Sequence, residues 1–478
     1  MRLTAADVAD ALKLPAPPGL GAGGPPVFTG VSTDTRTLQP GDLFVALVSP
    51  KADGHGYIPQ ALAAGAAGLV VSQDTAANVA TFRVPDTQVA YGQLARWWRN
   101  QSDIPVIGVT GSVGKTTVKE MIAAALGPLG PILKTAASQN NETGVPKALL
   151  QLTSEHRAAV IEMGMRGAGQ IAYLCGIARP TVGVLTVISD NHAELLGSRD
   201  AIADAKGELL QALPADGLAI LNADDPYFER LQQKTAARVM AYGVNPPARN
   251  SGGGGDLLTA DAGSARVGEG GLRFAVRGVP VEIASPSRHD IGNALAALAV
   301  ADTLGVPLAA AADALKQYTP PPMRMQIVKT PWGGTVLNDA YNAAPASMRS
   351  ALETLKNFAG GRKIAFLGDM KELGDNAHRA HQALGEAIAE LGGLDALYAV
   401  GGLAAQIPGA TEYWASSAEA ADFARGSLAV QSGDVILVKG SRAMAMERIA
   451  DTLTARPLAP PELGAGGRSS PPGAGGSA

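Results

Sequence analysis

The chain has 478 residues, with 39 Lys and Arg against 43 Asp and Glu, for a formal charge of −4. Hydrophobic residues make up 46% and aromatics 4%, while 58 Gly and 32 Pro exceed the usual share of those residues. This composition excludes a disordered chain, which would lack the Leu, Val and Ile for a core, and a surface whose bulk charge would draw nucleic acid or anionic lipid. The length suggests about two to four domains. The single cysteine, Cys175, excludes an intrachain disulfide and a Cys-built zinc site, and it fits a reducing cytoplasm.

The opening stretch MRLTAADVADALKL carries Asp7 and Asp10 within an apolar pattern and predicts an amphipathic helix, not a signal peptide. Short apolar runs follow at 42–48 and 68–72, preceded by the polar stretch VSTDTR, so residues 1–84 are expected to form a small α/β domain. Residues 85–318 open with a helical pattern ending near Asn100. The near-continuous apolar runs IPVIGVTG, AAVIEMG and PTVGVLTVIS then alternate with helical segments, the rhythm of buried parallel strands in βαβ units. A less regular part at 245–285 contains the glycine run 252–255, and residues 286–305 predict an alanine-rich helix. Pro320, Pro321 and Pro322 mark a linker. Residues 319–457 alternate strands and helices again, with a Rossmann-like rhythm, and 458–478 predict a disordered tail by composition. No segment reaches the ~20 apolar residues of a membrane span.

The sharpest motif is VIGVTGSVGKTTVKEMI at 106–122, a buried strand running through a glycine turn into a helix. Thr110, Gly111, Ser112, Gly114, Lys115, Thr116 and Thr117 would form a loop whose backbone N–H groups curl around phosphates. The helix N-terminus adds its positive end, Lys115 reaches the β/γ-phosphates, and the Thr116 hydroxyl binds Mg²⁺. Val109 stands where the strict Walker pattern has glycine, so this is a tighter variant. The motif implies ATP or GTP use. It leaves the reaction open, because kinases, switches, motors and ligases share such a loop, and an ordinary glycine turn remains the bland alternative.

Five further segments join this loop in resembling the Mur ligase family, the ATP-dependent amide-bond-forming enzymes of bacterial peptidoglycan synthesis. VSTDTRTLQPGDLFVAL (31–47) matches the family's UDP-holding segment, which implies that Ser32, Thr33, Asp34 and Arg36 bind the UDP end of the substrate. By chemistry alone this is also a solvated turn with a local Asp–Arg pair. TAASQNNETGVPKALLQL (135–152) matches the family's Asn-Asn-x-x-Gly-Val-Pro string, which implies substrate contacts from Asn140 and Asn141; Ser138 and Thr143 depart from the usual residues. Glu162, His192 and Lys206 fall where the family places Mg²⁺ ligands, the lysine as a carbamate.

SRHDIGNALAALAVADTLG (287–305) resembles the helix whose second asparagine reads adenine, here Asn293; Asp290 replaces the first asparagine and by itself suits a helix N-cap. Arg324 is expected to meet the γ-phosphate from the third domain, and LNDAYNAAPASM (337–348) places Asp339 and Tyr341 near the nucleotide. The resemblance therefore implies a three-domain α/β enzyme: a UDP-substrate domain, a central P-loop ATPase-like parallel-sheet domain and a C-terminal Rossmann-like domain. It implies ATP with Mg²⁺, two ions among them, and a catalytic set of Lys115, Glu162, His192 and Lys206. The string DAYNAAP points to the member type that joins D-alanyl-D-alanine to UDP-N-acetylmuramoyl-tripeptide through an acyl phosphate, in the cytoplasm and as a monomer. Other amide ligases of the superfamily and an ATP-regulated switch are the alternatives. Whether the third peptide residue is lysine or diaminopimelate stays open.

Overall fold

The computed structural model describes residues 1–15, 26–50, 52–189, 196–247, 257–268 and 271–456. Three mainly parallel sheets follow one another along the chain, each flanked by helices. The first has four parallel strands, Val31–Ser32, Leu43–Val45, Gly68–Val71 and Ala80–Arg83, in that spatial order. The predicted first helix spans Ala5–Leu12 and starts on a capping box, in which Thr4 and Asp7 each bond the other's backbone N–H. The helix Thr87–Arg99 belongs to the same apolar cluster as Leu3 and Val8 on one side and Leu149 and Ile177 on the other, joining the first sheet to the second.

The central sheet has seven strands, all pairs parallel. In space they run Ile132–Lys134, Ala158–Glu162, Val106–Thr110, Val182–Leu185, Leu218–Asn222, Arg238–Gly243 and Leu257–Thr259. The strand that comes first in sequence, Val106–Thr110, lies inside the sheet between two later ones, Ala158–Glu162 and Val182–Leu185, while the next in sequence, Ile132–Lys134, takes the edge. Its C-terminal end therefore sits beside those of both neighbours, with Glu162 opposite Val109 and Leu185 opposite Thr110. Ligands of open α/β sheets bind at such crevices outside the strand ends. These strands are buried throughout, which explains their unbroken apolar runs.

The segment read as irregular contributes the edge strand Leu257–Thr259 and an antiparallel three-stranded sheet, Arg266–Gly268, Gly271–Val276 and Val279–Ile283. Its alternating pattern is interrupted by Gly271 and Gly278, both at positive φ, which hid it in the sequence. The alanine-rich helix spans Asp290–Thr303 and packs on the phosphate-loop helix Lys115–Ala125. Small side chains allow the two backbones to approach closely. The third sheet runs Gln326–Lys329, Thr335–Asp339, Val435–Lys439, Lys363–Gly368, Ala396–Val400 and Glu412–Trp414, with only its first pair antiparallel. The glycine run at 252–255, His192 and the tail at 458–478 lie outside the described residues.

Leu295 is fully buried between this helix and the sheet. Leu295→Ala should destabilise the protein by about 2–5 kcal/mol, because a surround packed this tightly collapses little around the cavity. Chemical denaturation measures the change; a loss well under 1 kcal/mol would contradict the packing.

Candidate active site

The strand Val106–Thr110 ends in a turn that requires glycine. Gly111 sits at φ +144, and a Cβ there would stand 1.9 Å from the Thr186 hydroxyl oxygen. Thr186 in turn donates to the Val113 carbonyl at 2.6 Å, and the Thr110 hydroxyl donates to the Met163 carbonyl at 2.9 Å. Ser112 donates its hydroxyl to the Ser189 carbonyl and accepts from the Ser189 N–H at 3.0 Å, fastening the loop to the next strand end. Gly114, at φ +86, opens the helix Lys115–Ala125 and leaves room for Asn293, whose carbonyl oxygen would lie 2.9 Å from an added Cβ.

Lysines crowd this loop. The Lys115 ammonium donates to the Gly111 and Ser112 carbonyls at 2.8 and 3.3 Å, and Lys206 donates to the same Gly111 carbonyl at 2.9 Å. Burial pushes the Lys115 pKa below the ordinary lysine value. Lys206 is held well below it, by burial first and by the neighbouring Lys115 charge second. A third lysine, Lys119, is fully buried one helical turn beyond Lys115 and donates to the Thr135 and Ala137 carbonyls at 2.8 and 2.6 Å. It also lies 3.1 Å from Glu120 and 3.6 Å from Glu162. Sequence reasoning passed over Lys119. Its signal was the four-residue spacing from Lys115, which puts both on one helix face.

Glu162 closes the strand Ala158–Glu162 and is 1% exposed. Its Oε1 accepts from the Asn140 amide at 2.8 Å; among the described residues Oε2 has no hydrogen-bond partner, with the Lys119 ammonium 3.6 Å away, and the buried Thr116 hydroxyl has none. A carboxylate oxygen without a hydrogen bond and an unpaired hydroxyl beside a phosphate loop are what a bound divalent cation would satisfy, so these residues fit Mg²⁺. Among the described residues no group of three or more His, Cys, Asp or Glu side chains could hold a metal by itself.

Both residues line a cavity of about 510 Å³ between the central and third sheets. Asn293 lines it and donates its amide to Asp290 at 2.6 Å, which turns its carbonyl oxygen toward Gly114. Asp290 is not the N-cap its residue type suggests. His289 holds that position, and the Asp290 carboxylate instead accepts from Asn293 and from the Ser285 hydroxyl. From the third sheet, the Arg324 guanidinium lies over the Tyr341 ring at 4.0 Å and reaches across to the Ser138 hydroxyl at 3.4 Å. Asp339 accepts from the Met325 N–H at 3.0 Å and pairs with Lys439 at 2.5 Å. Lys439, a cation at the end of a buried strand, also lines the cavity; sequence reasoning did not single it out.

The remaining sequence-derived residues separate from this cleft. Thr33, Asp34, Arg36 and Asn141 line a second cavity of about 640 Å³. Arg36 is turned onto Asp34, which it pulls to about 2, first through their side-chain hydrogen bonds. Ser32 does not reach that cavity: its hydroxyl bonds the Asp34 carbonyl and N–H and closes the turn. Asn141 accepts from the Gly144 N–H at 2.9 Å, starting the short helix Gly144–Leu149.

Three family descriptions match in chain order: the Mur ligase family catalytic domain over 27–99, the Mur ligase middle domain over 109–301 and the Mur ligase glutamate ligase domain over 323–442. The UDP-N-acetylmuramoyl-tripeptide–D-alanyl-D-alanine ligase of Synechocystis sp. is 40% identical over 90% of this chain and 92% of its own. MurF from Acinetobacter baumannii superposes with a TM-score of 0.84 at 30% identity, covering 95% of this chain and 99% of that one. MurF ligase from Thermotoga maritima, solved in complex with ADP, gives a TM-score of 0.78 at 28% identity over 89% and 97%.

Gly111→Ala should abolish nucleotide binding, since its Cβ collides with Thr186 and the φ is wrong for alanine. Titration calorimetry with ADP should show at least a tenfold loss; unchanged affinity would contradict the loop geometry.

Proposed function

Since the chain belongs to the Mur ligase family, we propose from that premise that its cleft joins D-alanyl-D-alanine to UDP-N-acetylmuramoyl-tripeptide at the expense of ATP, in peptidoglycan precursor synthesis. The observation that carries this reading is the match, over nine-tenths of the chain, to ligases of that specificity.

Chemically, the terminal carboxylate of the tripeptide attacks the γ-phosphorus of ATP and ADP leaves. The resulting acyl phosphate is attacked at carbon by the amine of D-alanyl-D-alanine, and phosphate leaves. Two anions must meet in the first step, so placed positive charge and positioning supply the catalysis. In this reading Lys115 exchanges its bonds to the loop carbonyls for β/γ-phosphate oxygens. Arg324 swings from Ser138 onto the γ-phosphate as the third sheet closes over the cleft, excluding water that would hydrolyse the acyl phosphate. Asn293, its carbonyl oxygen fixed by Asp290, accepts from the amino group of adenine, and Asp339 and Tyr341 flank the nucleotide.

Thr116 and Glu162 would hold Mg²⁺, joined on the family pattern by His192 and by Lys206 as a carbamate. The ion's chemistry there is neutralisation of phosphate charge. Addition of CO₂ needs a neutral amine, a form that burial of Lys206 and the neighbouring Lys115 charge favour. The second cavity, with Thr33, Asp34, Arg36 and Asn141, is assigned to the UDP end of the substrate. The proposed setting is the cytoplasm; no described helix is long and apolar enough to cross a membrane.

The purified chain should release phosphate from ATP only when UDP-N-acetylmuramoyl-tripeptide and D-alanyl-D-alanine are both present. Release indifferent to both would favour an ATP-regulated switch and sink the ligase reading. Lys115→Ala should abolish turnover. Lys206→Ala should lose activity and recover part of it with small carboxylic acids, which substitute for the carbamate oxygens. Bicarbonate stimulation of the native chain should fade as pH falls through the lowered Lys206 pKa, because protonation removes the lone pair that CO₂ requires. Full activity of Lys206→Ala without additives would remove the carbamate.

A further inference from the structure

The 640 Å³ cavity between the first sheet and the asparagine loop must receive a substrate with several negative charges, and two of its lining side chains are cationic, Arg36 and Lys147. Arg36 is already engaged. Its Nε lies 2.9 and 3.2 Å from the two Asp34 oxygens and its Nη2 lies 2.6 Å from Oδ2, a fork-on-fork pair. That pair occupies the Nε–Nη2 edge of the guanidinium and is electrically neutral, so Arg36 adds no net charge to the cavity. Asp34 stays ionised at neutral pH, held down first by Arg36 and in smaller part by the nearby Lys147 charge. Lys147 rises from the short helix Gly144–Leu149, and its ammonium makes no hydrogen bond or ion pair with the described residues. It alone gives this cavity a net positive charge. The family string used above ends at Pro146 and assigns nothing to the next position.

We propose that Lys147 is the residue that pairs with an anionic oxygen of the UDP-linked substrate. This rests on the ligase reading and assigns the anion contact in the second cavity to Lys147 in place of Arg36. The oxygen belongs either to the diphosphate or to a carboxylate of the peptide. Both present the same chemistry to an ammonium, and the ion pair forms as the substrate displaces water from the groove. A lysine that merely solvates the helix surface is the competing account.

The test is steady-state kinetics of Lys147→Met beside the native chain. The KM for the UDP-tripeptide should rise about tenfold, the size of one charge-assisted hydrogen bond. kcat and the KM values for ATP and D-alanyl-D-alanine should stay within twofold. Lys147→Arg should restore most of the loss, and the variant's KM should depend less on salt. UDP alone, used as a competitive inhibitor, separates the two sources. Inhibition weakened by the same factor identifies the diphosphate, and unchanged inhibition identifies a peptide carboxylate. A UDP-tripeptide KM within twofold of native, or an equal rise for ATP, overturns the proposal. If the native chain itself fails to turn over, the ligase reading falls. Calorimetric titration of the UDP-tripeptide into native and Lys147→Met chains then decides Lys147, equal affinities or no binding counting against it.

Discussion

The site depends on drawing three lysine side chains onto main-chain carbonyls of the phosphate loop and the asparagine segment. Lys119 and Lys206 leave water almost completely and Lys115 in part, a step that is costly for any of them that keeps its charge unless it finds partners. The partners are mostly main-chain carbonyls: Gly111 for two of the lysines, Ser112, Thr135 and Ala137. Carbonyls delivered by strand ends and tight turns cannot move far, so these bonds fix the loop, the asparagine segment and Glu162 relative to one another. A loop that holds Lys115 beside fixed main-chain turns is prepared for phosphate oxygens.

The three sheets divide the remaining work. The central sheet brings Thr110, Glu162 and Leu185 to one crevice because its first strand lies between two later ones. The third sheet contributes Arg324, Asp339 and Lys439 from across the cavity, already touching the asparagine loop through Ser138. The first sheet supplies a separate cavity, joined to the cleft by the segment that carries Asn140 toward Glu162 and Asn141 toward Asp34. One short stretch of chain thus connects the nucleotide end of the reaction with the UDP end.

Much of this was legible in the chain itself. Parallel strands buried on both faces announce themselves as unbroken apolar runs, and a glycine turn before Lys-Thr-Thr has few other uses. The antiparallel sheet at 266–283 escaped notice because glycines at positive φ interrupt its alternation. Asp290 was misjudged as a cap because N-capping is a local rule. In the fold a more distant partner, Ser285, and the next turn's Asn293 claim its carboxylate. Arg36, expected at the UDP end of the substrate, is paired with Asp34, the local pair that its chemistry also allowed.

What the sequence by itself determined was local: the strand and helix periods, the phosphate loop, and the residue types able to do phosphoryl and amide chemistry. These follow from steric and hydrogen-bonding rules that act within a few residues. What only the tertiary structure decided was which charges are buried, which are paired and which remain available. Lys119 and Lys206 are ordinary helix lysines in the sequence and desolvated site lysines in the fold, whereas Arg36 is paired with Asp34 and Lys147 has no such partner among the described residues. The physical reason is that desolvation and Coulomb energies depend on distances between segments far apart in the chain, and those distances exist only once the sheets have packed.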